Sequence, residues 1–122
     1  MTIKRIKVGS RMSQVVVHGG VAYVAGQVAR NKPDGSVADQ TTDVLENIDN
    51  LLAEAGTDKS KLLSATIWLS SMDHFSEMNE VWDAWVAEGN PPARACVEAR
   101  LAAPRFFVEI AVIAALASGE GA

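Results

Sequence analysis

Gly19-Gly20 stands between two runs rich in β-branched residues, Gln14-Val15-Val16-Val17-His18 and Val21-Ala22-Tyr23-Val24-Ala25. Two residues between two such runs read as a tight hairpin, and glycine supplies the positive φ that this turn demands. The hairpin commits the first part of the chain to antiparallel sheet. Ahead of it, residues 2–8 alternate Ile3, Arg5 and Lys7 with Lys4, Ile6 and Val8, which predicts a short first strand. Behind it, Asn31-Lys32-Pro33-Asp34-Gly35 is a polar turn.

The pattern then changes period. Val44, Leu45, Ile48, Leu51, Leu52 and Ala55 form one apolar stripe at helical spacing, which predicts a helix over 39–55. Asp39 or Thr41 can cap its start and Gly56 can end it. Residues 62–70 return to period two, with Leu63, Ala65, Ile67 and Leu69 on one face and Ser64, Thr66, Trp68 and Ser70 on the other. A large aromatic such as Trp68 on the polar face points to a covered surface. A second helix is expected over 73–88, with Phe75, Met78, Val81, Trp82 and Trp85 as its stripe and Asn90-Pro91-Pro92 as its stop. Strands are expected near 93–100 and 105–116.

The resulting order is β-β-β-α-β-α-β-β, an α+β chain whose two helices pack on one face of a mixed sheet. The other face has no helix to cover it. Strands apolar on both sides call for burial on both sides, and a second copy of the chain is the simplest cover.

At 122 residues the chain suits one domain, expected over 1–117, with Ser118-Gly119-Glu120-Gly121-Ala122 as a frayed tail. The net charge is −4 and the cations are scattered, with one mild cluster at Lys4, Arg5, Lys7 and Arg11. That distribution argues against a nucleic-acid partner, which calls for a basic stripe interleaved with aromatics. Cys96 is the single cysteine, so no intrachain disulfide can form. His18 and His74 have no Cys or His at ligand spacing, so no metal is expected. The N-terminus lacks the apolar run of a signal peptide and no stretch has the apolar length of a membrane span, which makes the cytoplasm the expected location.

Two segments carry a charge inside an apolar, strand-like run: Pro92-Ala93-Arg94-Ala95-Cys96-Val97 and Phe107-Val108-Glu109-Ile110. Buried charges are rare unless paired or functional. Alternation puts Arg94, Cys96 and Glu98 on one face of their strand. Arg94 is either an edge-strand ion-pair arginine or a planar fork for a ligand carboxylate. Glu109 is either its structural partner or a general acid/base, and the direction of its pKa is open because burial raises it while a nearby arginine lowers it. Cys96 has no histidine in its sequence context, so it reads as a small hydrophobe rather than a nucleophile. Gly26-Gln27 lets backbone N–H groups approach a ligand, or simply ends a strand.

The segment from Pro92 to Val97, followed fifteen residues after Arg94 by Glu109 within Val108-Glu109-Ile110, closely resembles the C-terminal signature of the reactive-intermediate deaminase family (RidA, also called YjgF). Ala25-Gly26-Gln27 looks like that family's Ser-Gly-Gln, Met78-Asn79 looks like its asparagine segment, and the order of elements matches over nearly the whole chain. The resemblance implies a chorismate-mutase-like, ferredoxin-like α+β domain assembled as a homotrimer with sites between subunits. It implies hydrolytic deamination of 2-imino acids to 2-oxo acids and ammonia without metal or organic cofactor. In that reading Arg94 holds the substrate carboxylate and Glu109 positions the attacking water. Cys96, Gly26, Asn79 and Met12 line the pocket. The chain departs from the family pattern where Met12 stands in place of a tyrosine and Ala25 in place of a serine. A non-catalytic binder of small carboxylates, a sensor or regulator, is the alternative consistent with those two changes.

Overall fold

The glycine pair makes the turn its residues demand: Gly19 and Gly20 have φ of 60° and 80°. Strand β2 (Ser13–His18) pairs antiparallel with β3 (Val21–Gln27), His18 opposite Val21, and β1 (Lys4–Val8) adds to the free side of β2. The structure is a computed structural model and describes residues 2–117. The expected tail at 118–122 lies outside the described residues.

The remaining strands are β4 (Leu62–Leu69), β5 (Ala93–Glu98) and β6 (Val108–Ala115), and the sheet order is β1-β2-β3-β6-β4-β5. All neighbours are antiparallel except β4 and β5, which are parallel. Helices α1 (Val37–Ala55) and α2 (Phe75–Trp85) pack against each other, and α1 lies on β2, β3 and β6. The expected α+β architecture and element order therefore hold, with two short 3-10 turns added at Lys59–Lys61 and Met72–His74.

Local chemistry moves the helix ends. Ser36, not Asp39 or Thr41, caps α1: its Oγ accepts the Asp39 backbone N–H at 3.0 Å. Asp39 instead sits in the first turn, where its charge meets the positive end of the helix dipole. Thr41 is buried and donates its hydroxyl to the Val37 carbonyl at 2.7 Å. Gly56 ends the helix in the left-handed region, φ 88°, as expected. The α2 helix is shorter than 73–88. Ser71 caps the 3-10 turn before it, and the chain turns extended at Val86, before the Asn90-Pro91-Pro92 segment is reached.

The β4 pattern needs a correction at its start. Alternation puts Leu63 on the core face, but it is 50% exposed, while Leu62 is buried. The pairing with β6 slips between Leu62 and Ser64, and the irregularity turns Leu62 inward. From Ala65 the alternation holds, with Ala65, Ile67 and Leu69 in the core and Trp68 on the helix-free face. That face also carries Tyr23 and Val97, both exposed.

A buried glutamine closes one end of the fold. Gln40, fully buried, donates through Nε2 to the carbonyls of Pro33 (3.0 Å), Gly35 (3.3 Å) and Arg105 (2.9 Å), and its Oε1 accepts the Phe107 N–H at 2.8 Å. One side chain thus binds the 31–36 turn to the loop that feeds β6. Gln40→Leu should fill the space yet strand the Phe107 N–H, at a cost of about 1–3 kcal/mol for each buried group left unmet. Urea unfolding is the check, and a midpoint equal to wild type would refute this role.

Candidate functional site

Arg94 lies on β5 in register with Ala65, which is buried under the helices, so its side chain faces α2. Its Nη1 donates to Asn79 Oδ1 at 2.8 Å. The guanidinium carbon sits 5.3 Å from the Trp82 ring centre and 5.9 Å from that of Phe75. Phe75, Asn79 and Trp82 are spaced i, i+4 and i+7 along α2, so one helical stripe supplies both π-faces and the hydrogen-bond acceptor. Among the described residues the one ion pair is Lys7 with Glu54, so no carboxylate neutralises Arg94. The guanidinium is held in orientation, exposed, with donors left for a ligand.

Cys96 follows on the same face, opposite Ile67, and is half-buried. Burial pushes its thiol above the ordinary range, and Arg94 only partly opposes this. A thiol raised in this way is a poor nucleophile. Glu98, next on that face, accepts the Met72 N–H at 2.9 Å and so ties β5 to the turn before α2.

Glu109 lies on β6 opposite Trp68, between the fully buried Val108 and Ile110. It therefore projects from the helix-free face. Arg94 and Glu109 are on opposite faces of the sheet, which removes the possibility that they form a structural pair within one chain. Burial raises the Glu109 pKa above the usual carboxylate range.

Gly26 completes this second group. The pairing of β3 with β6 is irregular between Val24 and Gln27, and that bulge lays the Gly26 backbone under the Glu109 carboxyl. A Cβ at Gly26 would collide with Glu109 Oε2 and lie 3.0 Å from Cδ. Glycine is required here for close approach, not for its φ.

The structure thus brings together two groups among the expected site residues: Arg94, Asn79 and Cys96 on the helix side, and Gly26 with Glu109 on the open side. Met12 joins neither. It is exposed on the β1–β2 loop and lines a groove with Lys7, Arg11, Gln14 and Arg30. Periodicity places Phe75 and Trp82 only in the apolar stripe of their helix; their spacing around Asn79 is the one sign in the sequence that they flank Arg94. Among the described residues, no three His, Cys, Asp or Glu side chains cluster as a metal site, and no helix is long and apolar enough to cross a membrane.

Gly26→Ala should swing the Glu109 carboxyl out of its seat and into water. Because burial is what raises the Glu109 pKa, its titration midpoint should drop toward that of an ordinary glutamate. Carboxyl-carbon NMR across the acid range reads this directly, and an unchanged midpoint in the variant would refute the contact.

The sequence profile described as Endoribonuclease L-PSP matches residues 2–116. A RutC family protein of Haemophilus ducreyi is 47% identical over 114 residues, covering 93% of this chain and 97% of its own length. The RutC family protein YoaB of Escherichia coli is 42% identical, covering 95% of this chain and 100% of its own. A crystal structure of a YjgF family member from Neisseria meningitidis superposes with a TM-score of 0.93 at 47% identity, covering 97% of this chain and 98% of that one. The chain belongs to the YjgF/RutC family, the one whose profile bears the name Endoribonuclease L-PSP.

Proposed function

We propose that this protein hydrolyses reactive 2-imino acids to 2-oxo acids and ammonia, as a homotrimer whose sites lie between subunits. The observation that carries the reading is the separation of Arg94 and Glu109. Each is functional in character and open to a ligand, yet the sheet stands between them within one chain. Arg94 lies on β5, an edge strand of the sheet, and Glu109 on the uncovered face. A neighbouring copy set against that face would present its Arg94 to this chain's Glu109.

The chemistry asks little more. A protonated imine is electrophilic at C2. Arg94 holds the substrate carboxylate through its free donors while Asn79, Trp82 and Phe75 keep the fork in place. Water adds to C2, the C=N π-electrons move to nitrogen, and Glu109 takes a proton from that water. The same proton passes to the amino nitrogen, Glu109 then takes the remaining hydroxyl proton, the C–N bond breaks, and ammonia leaves as the carbonyl forms. A carboxylate raised above its ordinary pKa is the stronger base for this step, and such proton transfer is typically worth about 10²–10⁴-fold.

A non-catalytic carboxylate binder is the second reading. It is favoured by Met12, which cannot donate a hydrogen bond and lies in a groove apart from Glu109. The net charge of −4 weighs against a polyanionic RNA substrate.

The test is to generate 2-iminopropanoate in situ and follow its decay. Wild type should accelerate decay. Glu109→Gln should retain 2-oxo acid affinity and lose turnover, since the amide cannot accept the proton. Arg94→Lys should lose about tenfold or more in affinity, because the bidentate fork is gone. Binding without any acceleration by wild type would move the assignment to the binder. Light scattering should give three times the chain mass at micromolar concentration, and a monomer mass would refute the assembly.

A further inference from the structure

We propose a second ligand site, for a small oxyanion such as phosphate or a carboxylate head group, between α1 and the β1–β2 end of the sheet. It stands independently of the reading of Arg94 and Glu109. A cavity of about 160 Å³ there is lined by Lys7, Gln14, Gln27, Arg30, Asn47 and Glu54, among others. Its defining feature is an amide donor left unmet: Asn47 Nδ2 is buried and has no hydrogen-bond partner among the described residues. A buried unmet donor is costly, and in a native fold it calls for an acceptor from outside the chain.

The rest of the lining points to an acceptor that is negatively charged. Gln27 Nε2 is engaged with Gln14 Oε1 at 2.8 Å and the Ala25 carbonyl at 3.0 Å. Arg30 Nη2 also donates to Gln14 Oε1, at 3.2 Å. These bonds occupy the acceptor end of Gln14 and turn its amide NH₂ away from Gln27. Asn47, Gln14, Arg30 and Lys7 therefore offer donors in excess of acceptors. Glu54 is the opposing carboxylate, 3.6 Å from Lys7 Nζ, but both side chains are about half exposed, where such a pair contributes little and exchanges readily.

Backbone conformation agrees. Lys7 has φ 52°, although Ile6 and Val8 on either side pair regularly with Val15 and Ser13. A non-glycine residue held in the left-handed region inside a strand stores strain, which is found where a side chain must be aimed. The cavity shares Lys7, Gln14 and Arg30 with the open groove that also holds Arg11, so the body of a larger anion has a cationic surface to lie along. This concentration of positive charge occurs on a chain of net charge −4.

The experiment titrates sodium phosphate and, separately, sodium acetate at fixed ionic strength with chloride as balance, reading melting temperature and calorimetric heat. Wild type should show a saturable rise in melting temperature with one or both anions. Arg30→Gln should weaken binding about tenfold or more, by loss of a charge-assisted donor. Asn47→Leu leaves net charge unchanged and removes the unmet donor, so without anion it should melt no lower than wild type, yet lose the anion response. Glu54→Gln should tighten binding by removing the competing carboxylate. Saturation by phosphate alone assigns a phosphate site, and by acetate alone a carboxylate site. No saturable response to either anion, or Asn47→Leu and Arg30→Gln responding as wild type does, overturns the proposal.

Discussion

The strand at the centre of the sheet sets what both faces can do. β6 lies between β3 and β4, and its alternate residues Val108, Ile110, Val112 and Ala114 are sealed beneath α1 with at most 1% exposure. Four adjacent inward positions of that quality fix the register, since a slip by one residue would drive Glu109 into the core and expose Val108 and Ile110. Glu109 is thus aimed outward by its neighbours' burial rather than by any bond of its own. Gln40 adds to this from the end of the strand. By holding both the Arg105 carbonyl and the Phe107 N–H it determines where β6 begins, at Val108, one residue before Glu109.

Much of this was legible in the residues themselves. Gly19-Gly20 between β-branched runs, the apolar stripe of α1 with Gly56 behind it, the period-two alternation of β4 and the apolar run of β6 are local signals, each set by its own segment. The errors have equally local causes. Ser36 stands just outside the apolar stripe, so periodicity alone started the helix too late, and only the bond from its hydroxyl to Asp39 settles the boundary. Leu63 was misplaced because a bulge depends on the partner strand, and nothing inside 62–70 reveals it. The end of α2 at Trp85 follows from Val86 turning extended, well before the prolines that looked decisive.

The site was legible as residues but not as geometry. A charge within an apolar strand marks Arg94 and Glu109, and alternation correctly puts Cys96 and Glu98 beside Arg94. Which sheet face each strand turns to its neighbours is a tertiary property. Strand order 3-6-4-5 and the direction of each strand decide it, and these put Arg94 under α2 and Glu109 on the uncovered side. The cage of Phe75, Asn79 and Trp82 was hidden for a related reason. The apolar stripe of a helix reads as core, yet only Met78 and Trp82 of α2 are buried, and the stripe's edge is free to hold a guanidinium.

Keeping the two charged groups apart within the chain has a chemical consequence of its own. A carboxylate paired with Arg94 would be held ionised, with a lowered pKa, and would be a weak base; a guanidinium paired with Glu109 would have its fork already filled. The fold avoids both. Arg94 is oriented by a neutral amide and two aromatic rings, which direct the fork without neutralising it. Glu109 is seated against a glycine backbone and partly withdrawn from water, which raises its proton affinity. An oxyanion such as a carboxylate can fill the Arg94 fork, and a protonated or polar centre gains from Glu109. Under the proposed reading both groups act on one ligand, and a 2-imino acid in its protonated form carries a carboxylate beside a cationic, electrophilic carbon.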